Sequence, residues 1–159
     1  MTQGTAGESN PTSRPRRGGR HLARELALQA LYQSDITGDG ISDAVIQLVE
    51  DPVTEERTDL AYFRHLAAEV WKRKAELDHW IGQVTENWSL DRVSVIELNI
   101  LRLGIYELLW QRDVPERVII NEAIELAKRF GGENSHRFVN GIMDQVAMRV
   151  RPEERESMR

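Results

Sequence analysis

The stretch from Asp91 to Trp110 constrains the fold of this 159-residue chain more than any other segment. Its aliphatic residues fall on nearly every side of a helix: Val93, Val95, Ile96, Leu98, Ile100, Leu101, Leu103, Ile105, Leu108 and Leu109. Four polar residues interrupt this surface: Glu97, Asn99, Arg102 and Glu107. Because a helix that is apolar all round must be covered on most sides, the segment predicts a central helix packed by other helices.

The rest of the chain has the same helical period. In residues 20–34 one apolar stripe recurs at three- and four-residue steps and ends before Gly38. Ser42 and Thr58 are the residues expected to cap the next two helices. Further helices are expected at 77–87, at 118–130 and from Asn134 or Ser135 to Val150. No segment alternates with period two, so the prediction is an all-α fold of about seven helices.

The ends of the chain differ from the middle. Residues 1–19 contain four glycines and two prolines and no large aliphatic or aromatic residue after Met1. We expect this segment to be a disordered basic arm, because it cannot bury enough apolar surface to offset its ordering entropy. Residues 20–150 form the predicted helical domain, and residues 151–159 form a polar tail that begins at the helix-stopping Pro152.

Several classes of protein are excluded by what the sequence lacks. There is no cysteine, no apolar run near the roughly 18 residues that span a bilayer, and no apolar segment typical of a secretory signal. The four histidines are widely spaced, and neither a P-loop nor a dinucleotide fingerprint occurs. We therefore expect a cytoplasmic protein that is not an enzyme and has no metal, no cofactor and no membrane contact.

The charge is distributed unevenly. Five arginines against one glutamate give residues 1–24 a net charge of +4, whereas the remaining 16 basic and 25 acidic side chains give −9. The arginines are Arg14, Arg16, Arg17, Arg20 and Arg24. Arginine binds phosphate through a planar fork, so this end is a candidate nucleic-acid footprint. A solubilising tail is the alternative for the first three.

Aromatic and amide side chains extend this candidate surface. Arg20 and Arg24 share a helix face, and Gln29 lies off the apolar stripe, which predicts that it points to solvent. Tyr32 is either a core residue or a platform for an unstacked base, and Phe138 is either a core anchor or a second such platform. Gly141, in a helix interior, indicates close approach of another backbone or helix.

Three runs of residues resemble the bacterial transcription antitermination factor family NusB. They are RELALQALY at residues 24–32, NEAIELAKRFG at 121–131 and SHRFVNGIMD at 135–144. The stretch LRLGIYEL at 101–108 and the sequence DVP at 113–115 also fit. The resemblance covers residues 20–150 in order, and the motifs together are highly specific.

The resemblance implies two small helical bundles packed across each other and a factor that catalyses no reaction. It implies binding to boxA RNA of ribosomal RNA leader transcripts, a heterodimer with the small-subunit ribosomal protein NusE, and coupling to RNA polymerase. The positions that match the family's RNA surface are Arg20, Arg24, Gln29, Tyr32 and Phe138. Arg16 and Arg17 lie further out, beyond Gly18 and Gly19, and are assigned to the same surface because they keep its charge. Glu97 and Arg102 match positions on or near the partner's contact face.

Two departures from the family pattern bear on affinity. His21 and Leu22 stand where many relatives have a denser basic run, and Asn134 stands where some relatives have Asp. Losing that acid should favour RNA binding. A helical scaffold that binds only protein, and an RNA-binding accessory domain like those fused to ribosomal RNA methyltransferases, are alternative functions. Because 159 residues leave no room for a Rossmann-like catalytic domain beside the helical one, we do not expect a freestanding methyltransferase. The sequence leaves open a monomer or a homodimer that covers its RNA face.

Overall fold

The computed structural model describes residues 18–50, 52–85 and 93–157. These ranges contain nine helices and no strand: α1 (Gly19–Thr37), α2 (Ile41–Val49), α3 (Pro52–Arg57), α4 (Leu60–Lys72), α5 (Lys74–Val84), α6 (Val95–Trp110), α7 (Glu116–Phe130), α8 (Ser135–Val150) and α9 (Pro152–Ser157). The all-α prediction is confirmed. Seven helices have at least nine residues; the sequence pattern does not predict the six-residue α3 and α9.

The helix ends follow local chemistry, in part differently from the sequence prediction. Gly38 adopts a left-handed conformation (φ 79°) that ends α1, as expected for glycine. The predicted caps at Ser42 and Thr58 are wrong. Gly40 precedes α2. Asp59, one residue after Thr58, caps α4 by accepting a hydrogen bond from the Tyr62 amide at 3.0 Å.

Two groups of helices share one core. The first contains α1, α2, α3 and α4, and the second contains α5 to α9; α1 and α4 pack against α6 across the junction. The buried apolar residues of both groups form a single continuous cluster. α6 lies at its centre with residues 99–108 buried, which confirms the prediction from its apolar circumference. No helix in the described ranges has the length and apolarity needed to cross a membrane.

The chain does not become a plain tail after Val150. Arg151 is 1% exposed. Its guanidinium donates to the backbone oxygens of Leu108 (3.0 Å), Val114 (2.5 Å) and Gln111 (2.9 Å). Pro152 does end α8, but it also begins α9, since proline is tolerated in a first helical turn. The Arg151 side chain therefore binds the C-terminal end of α6 and the loop that follows it.

Two glycines in helix interiors have different surroundings. A Cβ at Gly104 would lie 2.4 Å from Met143 Cε, so α6 and α8 approach closely there. A Cβ at Gly141 would meet nothing within 4 Å. The expectation that another part of the chain approaches Gly141 is therefore wrong for the described residues.

Candidate nucleic-acid interface

The basic end of the chain is only partly covered by the structure. Arg14, Arg16 and Arg17 lie outside the described residues. Arg20, in the first turn of α1, has its guanidinium carbon 4.1 Å from the centroid of the Tyr62 ring and its Nε 3.8 Å from Asp59 Oδ2. Its side chain is 39% exposed. Arg20 therefore holds a positive charge at the edge of α1 that solvent and a phosphate can reach.

Arg24 has a different environment from the one the sequence predicts. It is 4% exposed, and its Nε and Nη2 donate to the Glu107 carboxylate at 2.9–3.0 Å. Nη1 donates to Glu122 at 3.4 Å, and the Tyr62 hydroxyl donates to the same Glu107. The prediction that Arg24 lies on the exposed RNA surface is therefore corrected. Its face of α1 points toward α6, and its charge is paired with Glu107 inside the protein.

The buried contacts with Glu107 shift the pKa values of Tyr62 and Arg24. Burial and the neighbouring Glu107 charge raise the pKa of the Tyr62 hydroxyl well above its ordinary value. Burial alone would lower the pKa of Arg24, but Glu107 more than offsets it and the pKa is raised. Both groups thus keep their protons at all physiological pH values, which makes the cluster a fixed link between α1, α4 and α6.

His21 contacts acidic side chains on two helices. Its Nδ1 lies 2.8 Å from Glu122 of α7 and its Nε2 3.0 Å from Glu25 of α1. Glu25 is also 3.4 Å from Arg129 of α7. The histidine joins α1 to α7 through carboxylates, so it contributes to packing rather than to the basic surface.

Further along α1, an apolar groove of about 460 Å³ opens beside Tyr32. Gln29 is exposed, as its position off the apolar stripe predicts. Tyr32 is 38% exposed, which favours the platform over the core interpretation, and Ile36 is 58% exposed. The other walls come from Ile96 of α6 and Phe130 of α7. The groove presents an aromatic edge and amide groups to solvent together.

Phe138 lies in the first turn of α8, outside the residues that line this groove. It is half-buried and packs against the core. One turn before it on α8, Ser135 Oγ donates to Glu97 Oε2 at 2.6 Å, and Glu97 follows Ile96 of the groove. Ser135 Oγ also accepts from the Gly132 amide at 2.9 Å. The start of α8, which carries Phe138, is therefore hydrogen-bonded to the start of α6 beside the groove.

Asn134 holds the turn that leads into α8. It is exposed and has a left-handed backbone (φ 68°), a conformation that asparagine tolerates better than most residues. It stands at the N-cap, but its side chain makes no capping bond.

The two residues predicted to contact a protein partner differ in access. Glu97 is half-buried; it forms a capping box with Ser94 at the start of α6 and accepts from Ser135. Arg102 is 5% exposed, with Nε and Nη2 donating to Asp78 at 2.7 and 2.8 Å and Nη1 donating to Asp35 at 2.8 Å. Arg102 therefore links α6 to α5 and α1 inside the protein. The prediction that it contacts a protein partner is corrected, because its side chain is buried.

Sequence reasoning missed the groove residues Ile36, Ile96 and Phe130. A signal was present for Ile36, since it is an aliphatic residue off the apolar stripe of α1. No such signal existed for Ile96 and Phe130, because both resemble ordinary core residues in their own helices. No group of three or more His, Cys, Asp or Glu side chains suited to a metal occurs within the described ranges.

Together these features define an all-helical protein with an open apolar groove formed by α1, the start of α6 and the end of α7. Residues 21–148 match the model of the NusB family. The chain belongs to that family.

Relatives and solved structures agree with this assignment. The transcription antitermination protein NusB of Anaeromyxobacter dehalogenans is 46% identical over 138 residues, covering 86% of this chain and 95% of that protein. The structure of T. maritima NusB superposes with a TM-score of 0.75 at 34% identity, covering 86% of this chain and 96% of that one. A chain from a complex of the antitermination factors NusB and NusE with dsRNA has a TM-score of 0.65 at 24% identity. It covers 80% of this chain and 94% of that one, and shows the shared fold alone.

Proposed function

We propose that the protein is a transcription antitermination factor that binds boxA RNA together with NusE and couples both to RNA polymerase. The observation that carries the proposal is Tyr32, a half-exposed aromatic beside an open groove on the first helix of a NusB-family chain. An aromatic ring in this position stacks with an unpaired base whatever the base is. The proposal describes a binding protein and assigns it no reaction.

In this account RNA is attracted by charge and then held by stacking. Arg16, Arg17 and Arg20 supply the charge that attracts phosphates. Gln29, Tyr32 and Phe138 hold the bases, with the amide of Gln29 able to donate to and accept from a base edge. Arg24 supports the surface from inside the protein and makes no contact with RNA.

The protein partner is assigned to the acidic part of the molecule. Residues 25–159 carry a net charge of −9, which suits a basic ribosomal protein such as NusE. A solved complex contains the antitermination factors NusB and NusE together with dsRNA, and one of its chains has the fold of this protein. Glu97, half-exposed at the start of α6, remains the proposed contact residue. Its position beside the groove residue Ile96 and its hydrogen bond from Ser135 support this proposal.

Replacing Tyr32 with alanine should weaken RNA binding without unfolding the protein. Stacking on an aromatic contributes about 1–3 kcal/mol per base, so Kd should rise by roughly five- to 150-fold. The measurement is fluorescence anisotropy of a labelled single-stranded boxA RNA at fixed salt. Tyr32→Phe keeps the ring and should bind within about twofold of the wild-type chain, since the stacking is retained.

Ile46→Ala is the matched control for this experiment. Ile46 is also a large exposed apolar residue, but it lies on α2 and outside the groove. Its removal should leave RNA affinity unchanged. If Tyr32→Ala and Ile46→Ala bind RNA equally well, Tyr32 does not belong to the RNA surface.

A further inference from the structure

Gly141 has no structural explanation within the described part of the chain. It lies in the middle of the 16-residue helix α8, is exposed, and a Cβ added to it would meet nothing within 4 Å. Its backbone is not left-handed, since the glycines with positive φ in the described ranges are Gly18 and Gly38. Glycine weakens a helix interior relative to alanine. Neither the packing of the described residues nor the backbone geometry at Gly141 requires glycine here.

The neighbours of Gly141 on α8 have the chemistry of an anion-binding surface. Arg137 is one turn earlier on the same face, is exposed, and forms no ion pair with any residue in the described ranges. Phe138 lies three residues before Gly141, and Asn140 is exposed beside it. From Asn134 to Met143 the sequence contains no acid. The next acid, Asp144, lies 2.6 Å from Arg155.

We propose that Gly141 is the point at which the sugar–phosphate backbone of bound RNA approaches α8 most closely. The missing side chain lets a ribose and its phosphate lie directly against the helix, a use of glycine seen where a backbone and a ligand must come close. Arg137 then reaches the phosphate and Phe138 the adjoining base. This inference rests on the proposed function and extends its surface from Phe138 by one further turn of α8.

The charge of this face favours RNA over a protein partner. NusE is assigned to the acidic part of the molecule, whereas residues 134–143 offer a cation and amides and no carboxylate. An exposed arginine beside a gap in the helix surface suits a phosphate better than a basic protein. The occupant of this face is therefore an anionic polymer.

Gly82 provides a natural comparison within the same chain. It is also exposed in a helix with no atom within 4 Å of an added Cβ. It differs in lying in the last turn of α5, where helix ends fray and glycine is tolerated. One turn before it stands the acid Asp78, which binds Arg102. Gly82 therefore has as much open space around it as Gly141. Unlike Gly141, it has no anion-binding residues beside it on α5.

The test is to replace each glycine with alanine and to measure stability and RNA binding on the full chain. Gly141→Ala should raise Tm by about 3 °C, because alanine favours the helix. The same variant should bind labelled single-stranded boxA RNA about tenfold more weakly, because the new methyl group forces the RNA away from α8. Gly141→Gln, which is longer and uncharged, should weaken binding further. Gly82→Ala should leave RNA affinity within twofold of the wild-type chain.

The inference is overturned if Gly141→Ala and Gly141→Gln bind the RNA as tightly as the wild-type chain does. It is also overturned if Gly141→Ala loses affinity for NusE and keeps its affinity for RNA, since the face would then contact protein. A wild-type chain that binds no RNA, alone or with NusE, removes the proposed function and this inference together. An unchanged Gly141→Ala beside a wild-type chain that binds RNA removes the inference alone.

Discussion

Arg24→Ala is expected to lower the free energy of unfolding by about 3–5 kcal/mol, the usual cost of removing one partner of a buried ion pair. The substitution leaves the Glu107 carboxylate, which is 1% exposed, without its cation. The remaining partner identified for that carboxylate is the Tyr62 hydroxyl, which is neutral. Urea denaturation of the variant and the wild-type chain measures the difference, and RNA affinity per folded molecule should not change.

A combined variant separates the charge effect from simple loss of packing. Arg24→Met, Tyr62→Phe and Glu107→Leu together remove the cluster and fill its space with apolar groups, which is often neutral or stabilising for buried ion pairs. This triple variant should be more stable than Arg24→Ala alone. If instead Arg24→Ala keeps its stability and loses RNA affinity with a smaller salt dependence, Arg24 contacts phosphate and its assignment to the interior is wrong.

Arg151→Ala should be comparably damaging, with a loss of about 3 kcal/mol or more. Its guanidinium donates to four backbone carbonyl oxygens, of Glu107, Leu108, Gln111 and Val114. A buried acceptor that loses its donor costs about 1–3 kcal/mol. A positive charge at the C-terminal end of α6 is also favoured by the helix dipole. Thermal and urea unfolding measure the loss.

Two further variants make the Arg151 prediction specific. Arg149→Ala removes an exposed arginine in the last turn of α8, two residues before Arg151. It should lower the free energy of unfolding by less than about 0.5 kcal/mol. Arg151→Lys keeps the charge but not the planar fork, so it should recover only a small part of the stability. Equal stabilities for Arg149→Ala and Arg151→Ala would show that the end of the chain does not hold α6.

Much of the fold is predictable because it depends on the positions of apolar residues. The circumference of α6 indicates a central helix before any contact is known, and residues 99–108 are buried as expected. Gly38 likewise ends α1 where the sequence indicates, because a left-handed residue stops a helix locally. Features that depend on the residue pattern within one helix can therefore be predicted from the sequence.

The charged interior was not predictable in the same way. Glu107 and Arg102 interrupt an otherwise apolar helix, which indicates that each needs a buried partner. The pattern does not say which residue that partner is. Arg24 of α1 and Asp78 of α5 are distant in sequence, so their roles depend on how the helices meet. Two of the residues matched to the family's contact surfaces are thus internal.

The exposure of Tyr32 and the burial of Arg151 also could not be predicted from the pattern of a single helix. Tyr32 follows the apolar stripe of α1 closely enough to resemble core, and its exposure depends on the groove left between α1, Ile96 and Phe130. Arg151 resembles a residue of a polar tail, because nothing in residues 151–159 shows that the carbonyl oxygens at the end of α6 lie nearby. In both cases the deciding surface comes from another helix.

The most direct test of the central claim is anisotropy of labelled boxA RNA and of a scrambled RNA of equal length, titrated with the full chain with and without NusE. The account predicts tighter binding of boxA RNA than of the scrambled RNA, and a further gain when NusE is present. Equal, weak and purely salt-dependent binding of both RNAs, unchanged by NusE, would contradict it.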